Sequence, residues 1–142
     1  MKKLAMAVAA LMIVLCLSAC DYQPAEGPSF SLDVVNNCQS DIYGLHYEYY
    51  LDGQPIGGAI VRIANTAMIP LPSGNTTVLT FTPADFPAGA DLSTFQLELF
   101  VVMEDNIELA VSPLLELAAQ YGQQYQFTLS GSNADGFAIS YQ

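Results

Sequence analysis

Residues 95–103 read FQLELFVVM, and their spacing decides the fold class. Phe95, Leu97, Leu99, Val101 and Met103 recur at a period of two, which puts them on one face of an extended strand. Phe100 and Val102 bring apolar groups to the opposite face, so the far end of this strand is expected to be covered on both sides. The stretch 41–51, DIYGLHYEYYL, repeats the pattern: Tyr43, Leu45, Tyr47, Tyr49 and Leu51 share one face, and Gly44, His46, Glu48 and Tyr50 share the other. Its aromatic content and strict alternation disfavour a helix. Asp52-Gly53 follows at once, the dipeptide that tolerates positive φ in a tight two-residue hairpin.

Working outward, further runs alternate in the same way between turn residues. Phe30, Leu32 and Val34 form a first strand, and 36–40 (NNCQS) reads as a turn. The chain returns from the hairpin through Gly58–Ile63, passes a loop at 70–75, and continues as Thr76–Phe81. Thr82-Pro83-Ala84-Asp85 resembles a helix start with proline in the first turn, stopped by Pro87. Glu104-Asp105-Asn106 turns into Ile107–Val111. The segment 112–122, SPLLELAAQYG, is read as an irregular strand, although Ser112-Pro113 also fits a short helix start. Tyr125–Leu129 and Gly136–Tyr141 close the chain. About seven or eight strands at this spacing imply an all-β fold, a single antiparallel β-sandwich over residues 29–142.

Tyr121-Gly122-Gln123-Gln124-Tyr125, followed by Phe127 and Leu129, resembles the Gly-x-x-Tyr corner of immunoglobulin-like and fibronectin-type sandwiches. That resemblance implies a hydrogen bond from the Tyr125 hydroxyl back across the corner.

The N-terminus has a different character. Lys2 and Lys3 precede an uncharged apolar stretch, Leu4 to Leu17, too short to span a bilayer as a helix, which needs about 20 residues;. It has the length of a secretory signal core. It ends in Leu17-Ser18-Ala19-Cys20, which resembles the lipobox of bacterial lipoproteins. The resemblance covers residues 1–20 and implies a signal peptide at 1–19, acyl groups on the Cys20 thiol, and cleavage before Cys20. Two or more acyl chains anchor stably where one is marginal. Residues 20–28 are then a lipidated tether; Asp21 to Pro28 reaches at most about 26–29 Å. In Gram-negative lipoproteins an aspartate in the place of Asp21 resembles an inner-membrane retention signal; in a single-membrane bacterium it carries no such meaning.

Charge bounds the partners. The chain has fourteen acidic residues and three basic ones, Lys2, Lys3 and Arg62. Removing the signal leaves Arg62 alone and a net charge of −13. Such a surface repels phosphate backbones and anionic head groups, so nucleic acid is excluded. Cations, basic proteins and neutral molecules such as glycans remain. The membrane is met through lipidated Cys20, at an extracytoplasmic site in the cell envelope.

Catalytic chemistry is poorly supplied. The one histidine is His46, and the one thiol left after maturation is Cys38, expected to be a buried apolar residue;. A Cys–His nucleophile needs an orienting group and an oxyanion hole, and zinc needs three or four ligands. Neither is marked in the sequence, and no cofactor is expected. Glu104, Asp105 and Glu108 cluster around one turn as weak candidates for Ca²⁺, without the loop that organises such ligands. His46, Glu48 and Tyr50 project from one strand face as a candidate ligand face for a protein or glycan, and the loops 65–75 and 83–93 are other places where function concentrates. The sequence thus reads as a non-enzymatic lipoprotein, a binding or structural module at the cell envelope. An accessory subunit of an envelope transport or secretion complex is the alternative, and a small carboxylate-dependent hydrolase the third reading.

Overall fold

A computed structural model of the 142-residue chain describes residues 27–63 and 69–142. The expected signal segment 1–19, Cys20 and the expected tether up to residue 26 lie outside the described residues, as does part of the 65–75 loop. Among the described residues nine strands form: β1 Phe30–Cys38, β2 Gly44–Leu51, β3 Gln54–Val61, β4 Thr76–Phe81, β5 Phe95–Val102, β6 Glu108–Ser112, β7 Leu115–Leu117, β8 Gln124–Ser132 and β9 Gly136–Tyr141. The all-β expectation holds, and the strand beyond the expected seven or eight, β7, is the short regular part of the segment expected to be irregular.

The strands lie in one hydrogen-bonded path, β3-β2-β5-β6-β9-β8-β1-β4, with β7 on β5. The path curls at β6. Leu109 and Ala110 pair with β5, whereas Val111 and Ser112 pair with Phe137 and Ala138 of β9. The sheet is therefore folded over, with its two ends, β3 and β4, left as edges. This corrects the expected two-layer antiparallel arrangement in two respects. The sheet is continuous and open on one side, and the β1/β8 and β6/β9 pairs are parallel. Side-chain alternation carries no information on strand direction, and the long chain between β1 and β8 leaves a parallel pair free to form.

Phenylalanines fill the inside of the fold. Phe30 on β1 meets Phe95 on β5 edge-on at 5.3 Å, and Phe81 on β4 lies 5.2 Å from both Tyr49 and Phe95. Around them pack Leu32, Leu79, Leu97, Leu99, Val101, Phe127 and Leu129, each at most 2% exposed. Burial of this kind is worth about 1.5–3 kcal/mol per side chain. Val102 is also fully buried, as expected for a strand end covered on both sides, while Phe100 is half-buried.

Several local readings shift. Asp52 and Gly53 adopt φ of 50° and 72°, as the hairpin requires, but β3 starts directly after them and stops at Val61. Pro55 is accommodated because β3 is an edge and its pairing with β2 shifts register between Tyr49 and Tyr50;. β1 runs on through the expected turn to Cys38. The Asn36 side chain donates to Leu71 O at 2.9 Å and accepts from Cys38 N at 3.1 Å, satisfying a buried amide within the strand. The loop 83–93 is built from 3-10 turns at Pro83–Asp85 and Leu92–Thr94 and buries Phe86 and Leu92. In the first, Asp85 Oδ2 accepts from both Thr82 N and Thr82 Oγ1, so the expected helix start is a single 3-10 turn tied back by Asp85. At the other corner the Tyr125 hydroxyl donates to Ala118 O at 3.3 Å and accepts from Gln120 N at 3.1 Å.

Candidate functional site

The outward face of β2 is where the expected ligand residues fall. Its inward row, Leu45, Tyr47, Tyr49 and Leu51, packs on the core, so the period of two turns His46, Glu48 and Tyr50 outward;. The neighbouring strands then decide their surroundings. On β5, Phe100, Glu98 and Gln96 stand opposite His46, Glu48 and Tyr50 respectively. On β3, Ile60, Gly58 and Pro55 take the corresponding places.

His46 lies flat against Phe100, with ring centroids 5.2 Å apart and planes 24° from parallel. Its Nδ1 is 2.8 Å from Glu108 Oε2, and its Nε2 is 3.9 Å from Glu48 Oε1. The Tyr50 hydroxyl stands 2.8 Å from Glu48 Oε2 and 3.1 Å from Glu98 Oε2. A phenol carries one proton, so it donates to one carboxylate at a time. The hydrogen bond to Glu48, then desolvation and the bond to Glu98, push the Tyr50 hydroxyl up to about 12. Glu98 and Glu48 are directly opposed like charges, an unfavourable cross-strand pair;. The resulting chain, Glu108–His46–Glu48–Tyr50–Glu98, spans three strands.

Two hollows flank it. One of about 400 Å³ is lined by His46, Glu48, Pro55, Ile56, Gly57 and Gly58. Gly58 is required there, because a Cβ would collide with the Tyr47 carbonyl. The other, about 310 Å³, lies between Tyr50, Gly53, Gln96, Glu98 and Leu114. Carboxylates, a phenol, an imidazole and flanking apolar groups suit hydrogen bonding to a cationic or hydroxyl-bearing group.

The weak metal candidates separate. Glu108 leaves the turn with β6 and joins His46. Glu104 and Asp105 stay behind beside a hollow of about 600 Å³ with Ser40, Asp41, Tyr43, Met103 and Asn133. Asp105 Oδ1 accepts from Ile107 N at 3.3 Å, which closes the turn rather than facing a ligand. Among the described residues no three His, Cys, Asp or Glu side chains group so as to hold a metal ion. Cys38 is half-buried, its Sγ 3.9 Å from Leu129 O, and burial pushes its thiol up to about 11. Cys20 lies outside the described residues.

Sequence reasoning missed Glu98, Phe100 and the partnership of Glu108 with His46. All three follow from the register of β5 against β2 and of β6 against β5, which no single strand encodes.

No family model and no curated protein matches this chain. Several solved structures resemble it at low identity. The membrane-binding domain of pneumolysin is 10% identical over 80% of this chain and 96% of that one, with a TM-score of 0.38. A proposed cell adhesion protein from Bacteroides uniformis is 17% identical over 81% of this chain and 49% of its own length, with a TM-score of 0.41. Listeriolysin O is 8% identical over 80% of this chain and 22% of its own, with a TM-score of 0.37. At such scores these likenesses carry no functional reading.

Proposed function

We propose that the chain is an exported bacterial lipoprotein, anchored through acylated Cys20, whose acidic domain is a binding module at the cell envelope. Its curled sheet is read as a variant of the immunoglobulin-like sandwich, a reading supported by the hydroxyl bonds that Tyr125 makes across its corner. The anchor reading rests on Lys2, Lys3, the apolar run and Leu17-Ser18-Ala19-Cys20. The ligand is a cationic group of an envelope protein, received on the outward face of β2, β5 and β6.

One observation carries the ligand reading: the Tyr50 hydroxyl is shared between Glu48 and Glu98, which face each other in register. A lysine or arginine side chain supplies the donors that a single phenol proton cannot and relieves the repulsion between the carboxylates. The absence of lysine beyond Lys3 means the chain does not supply that cation from a lysine of its own mature part.

The test has two arms, run in the native cell. Cys20→Ala should end lipid labelling and release the protein from membranes; continued retention would defeat the anchor. Crosslinking from the intact cell should capture a basic envelope protein, and the double substitution Glu48→Gln with Glu98→Gln should lose it. Equal capture by that variant would sink the assignment of this face.

A further inference from the structure

The two edges of the sheet are unlike. β3 carries Pro55, the register shift beside it and Gly57-Gly58, features that discourage a further strand from pairing. β4 carries none of these. Its sequence, TTVLTF, has no charge, proline or glycine, and it pairs with β1 over six consecutive residues without a shift. Val78 at its middle is 54% exposed.

Two backbone bonds tell which of its groups are open. Ser31 N donates to Gln123 O on the β8 side at 3.1 Å, and Asn36 N donates to Asn75 O on the β4 side at 2.9 Å. Backbone groups alternate sides along a strand, so Leu32 and Val34 face β4 as Asn36 does, and their partners Leu79 and Thr77 face back;. Thr76, Val78 and Thr80 therefore direct their N–H and C=O groups away from β1. Among the described residues, no backbone group outside β1 bonds to β4.

The folded-over halves are also staggered. Tyr47 and Tyr49 of β2 meet Phe81 of β4 at 5.9 and 5.2 Å, so β4 lies over β2. β3 extends one strand further. The consequence is visible at Ala59, which shares the inward face with its partner Tyr47 and yet is exposed. At Gly57 an added Cβ would meet the Tyr49 hydroxyl 2.6 Å away. The next strand on the β4 side would lie about 4.8 Å beyond β4, over Ala59 and beside the Tyr49 hydroxyl that covers Gly57.

We propose that this place receives an extended segment of a basic partner protein, added as a strand to β4. Main-chain bonds to Val78 and Thr80 hold it, and its inward side chains lie over Ala59, whose small size leaves room for large apolar groups. Charge selects the partner. The chain has fourteen acidic residues against three basic, and Asp85 sits just past the end of β4, where its charge acts on Tyr47 and Tyr49. Asp33, buried and paired with Val78, has one carboxylate oxygen without a hydrogen-bond partner. The same charge opposes a second copy of this chain, and lysines or arginines at the ends of the segment favour its docking. This surface is separate from the outward face of β2 and does not depend on the reading given to that face.

The probe is a short labelled peptide of alternating valine and threonine with lysines at both ends, added to the full chain in a non-ionic detergent. Binding should be seen by anisotropy, should slow amide exchange at Val78 and Thr80, and should weaken at least about tenfold, or 1.4 kcal/mol, in Val78→Pro. That substitution removes an N–H that β1 does not use. Ala59→Arg leaves β4 untouched and should weaken binding similarly by filling the space over Ala59. Absence of binding would overturn the proposal, as would equal binding to both variants. Equal binding of the same peptide with terminal glutamates would overturn the basic partner. Self-association lost in Val78→Pro, without peptide uptake, would assign the edge to a second copy and overturn it as well.

Discussion

Glu48 and Glu98 face each other across the antiparallel β2/β5 pair, with one phenol, that of Tyr50, within hydrogen-bond distance of both. Directly opposed like charges on a sheet are unfavourable by roughly 0.2–1 kcal/mol. Glu98→Gln should therefore raise stability by a few tenths of a kcal/mol at low ionic strength, read from the urea midpoint. The gain should vanish in about 1 M salt, where screening acts within ~3 Å. A loss of stability at both ionic strengths would contradict this account.

Tyr50 titrates late. Its hydroxyl is held up to about 12, first by the bond to Glu48, whereas an unfolded tyrosine ionises near 10. The folded state thus holds this proton more tightly. The associated stability is complete below pH ~10 and is lost as pH rises toward 12. In a phenolate absorbance titration, Tyr50→Phe should remove a step near the top of the alkaline range; removal of an earlier step instead would contradict the bond.

The contact between His46 and Glu108 is a partly exposed pair, with side-chain exposures of 21% and 36%. Pairs of this kind are worth about 0.2–1 kcal/mol. A double-mutant cycle of His46→Gln and Glu108→Gln should give a coupling in that range. Strict additivity of the two substitutions would show that the pair contributes nothing.

Cys38 should be a slow thiol. Its value of about 11 leaves roughly one molecule in a thousand as thiolate at pH 8. With Cys16 and Cys20 replaced by serine, a disulfide reagent should label the native protein slowly and the urea-unfolded protein rapidly. Equal rates would mean that the thiol is open in the folded state.

Phe95 is fully buried between Phe30, Tyr49, Phe81 and Phe86. Phe95→Ala should cost about 3–5 kcal/mol, measured by chemical denaturation. Val78→Thr, at an exposed β-branched position, should change stability by less than about 0.5 kcal/mol.

Much of the fold was legible because each strand states its own faces. The alternation over residues 95–101 matches its buried and half-buried residues one by one, the alternation over residues 45–51 names the row that packs on the core, and Asp52-Gly53 joins β2 to β3 as read. The candidate face of His46, Glu48 and Tyr50 follows from the same alternation. The metal candidates did not survive as a group, because adjacency in a turn says nothing of which way the next strand carries Glu108. The extent of β1 was misread at Asn36, whose turn preference is overridden by side-chain bonds to Leu71 and Pro72.

By itself the sequence determined the all-β class, the inward and outward residues of each main strand, and the excess of negative charge, since these depend on local spacing and composition. Only the tertiary structure decided the curl at β6, the parallel pairs, the opposition of Glu48 to Glu98, and the unequal edges β3 and β4. Those depend on the direction and register in which distant strands meet. That choice is made by the fit of the whole core and is written in no single stretch of chain.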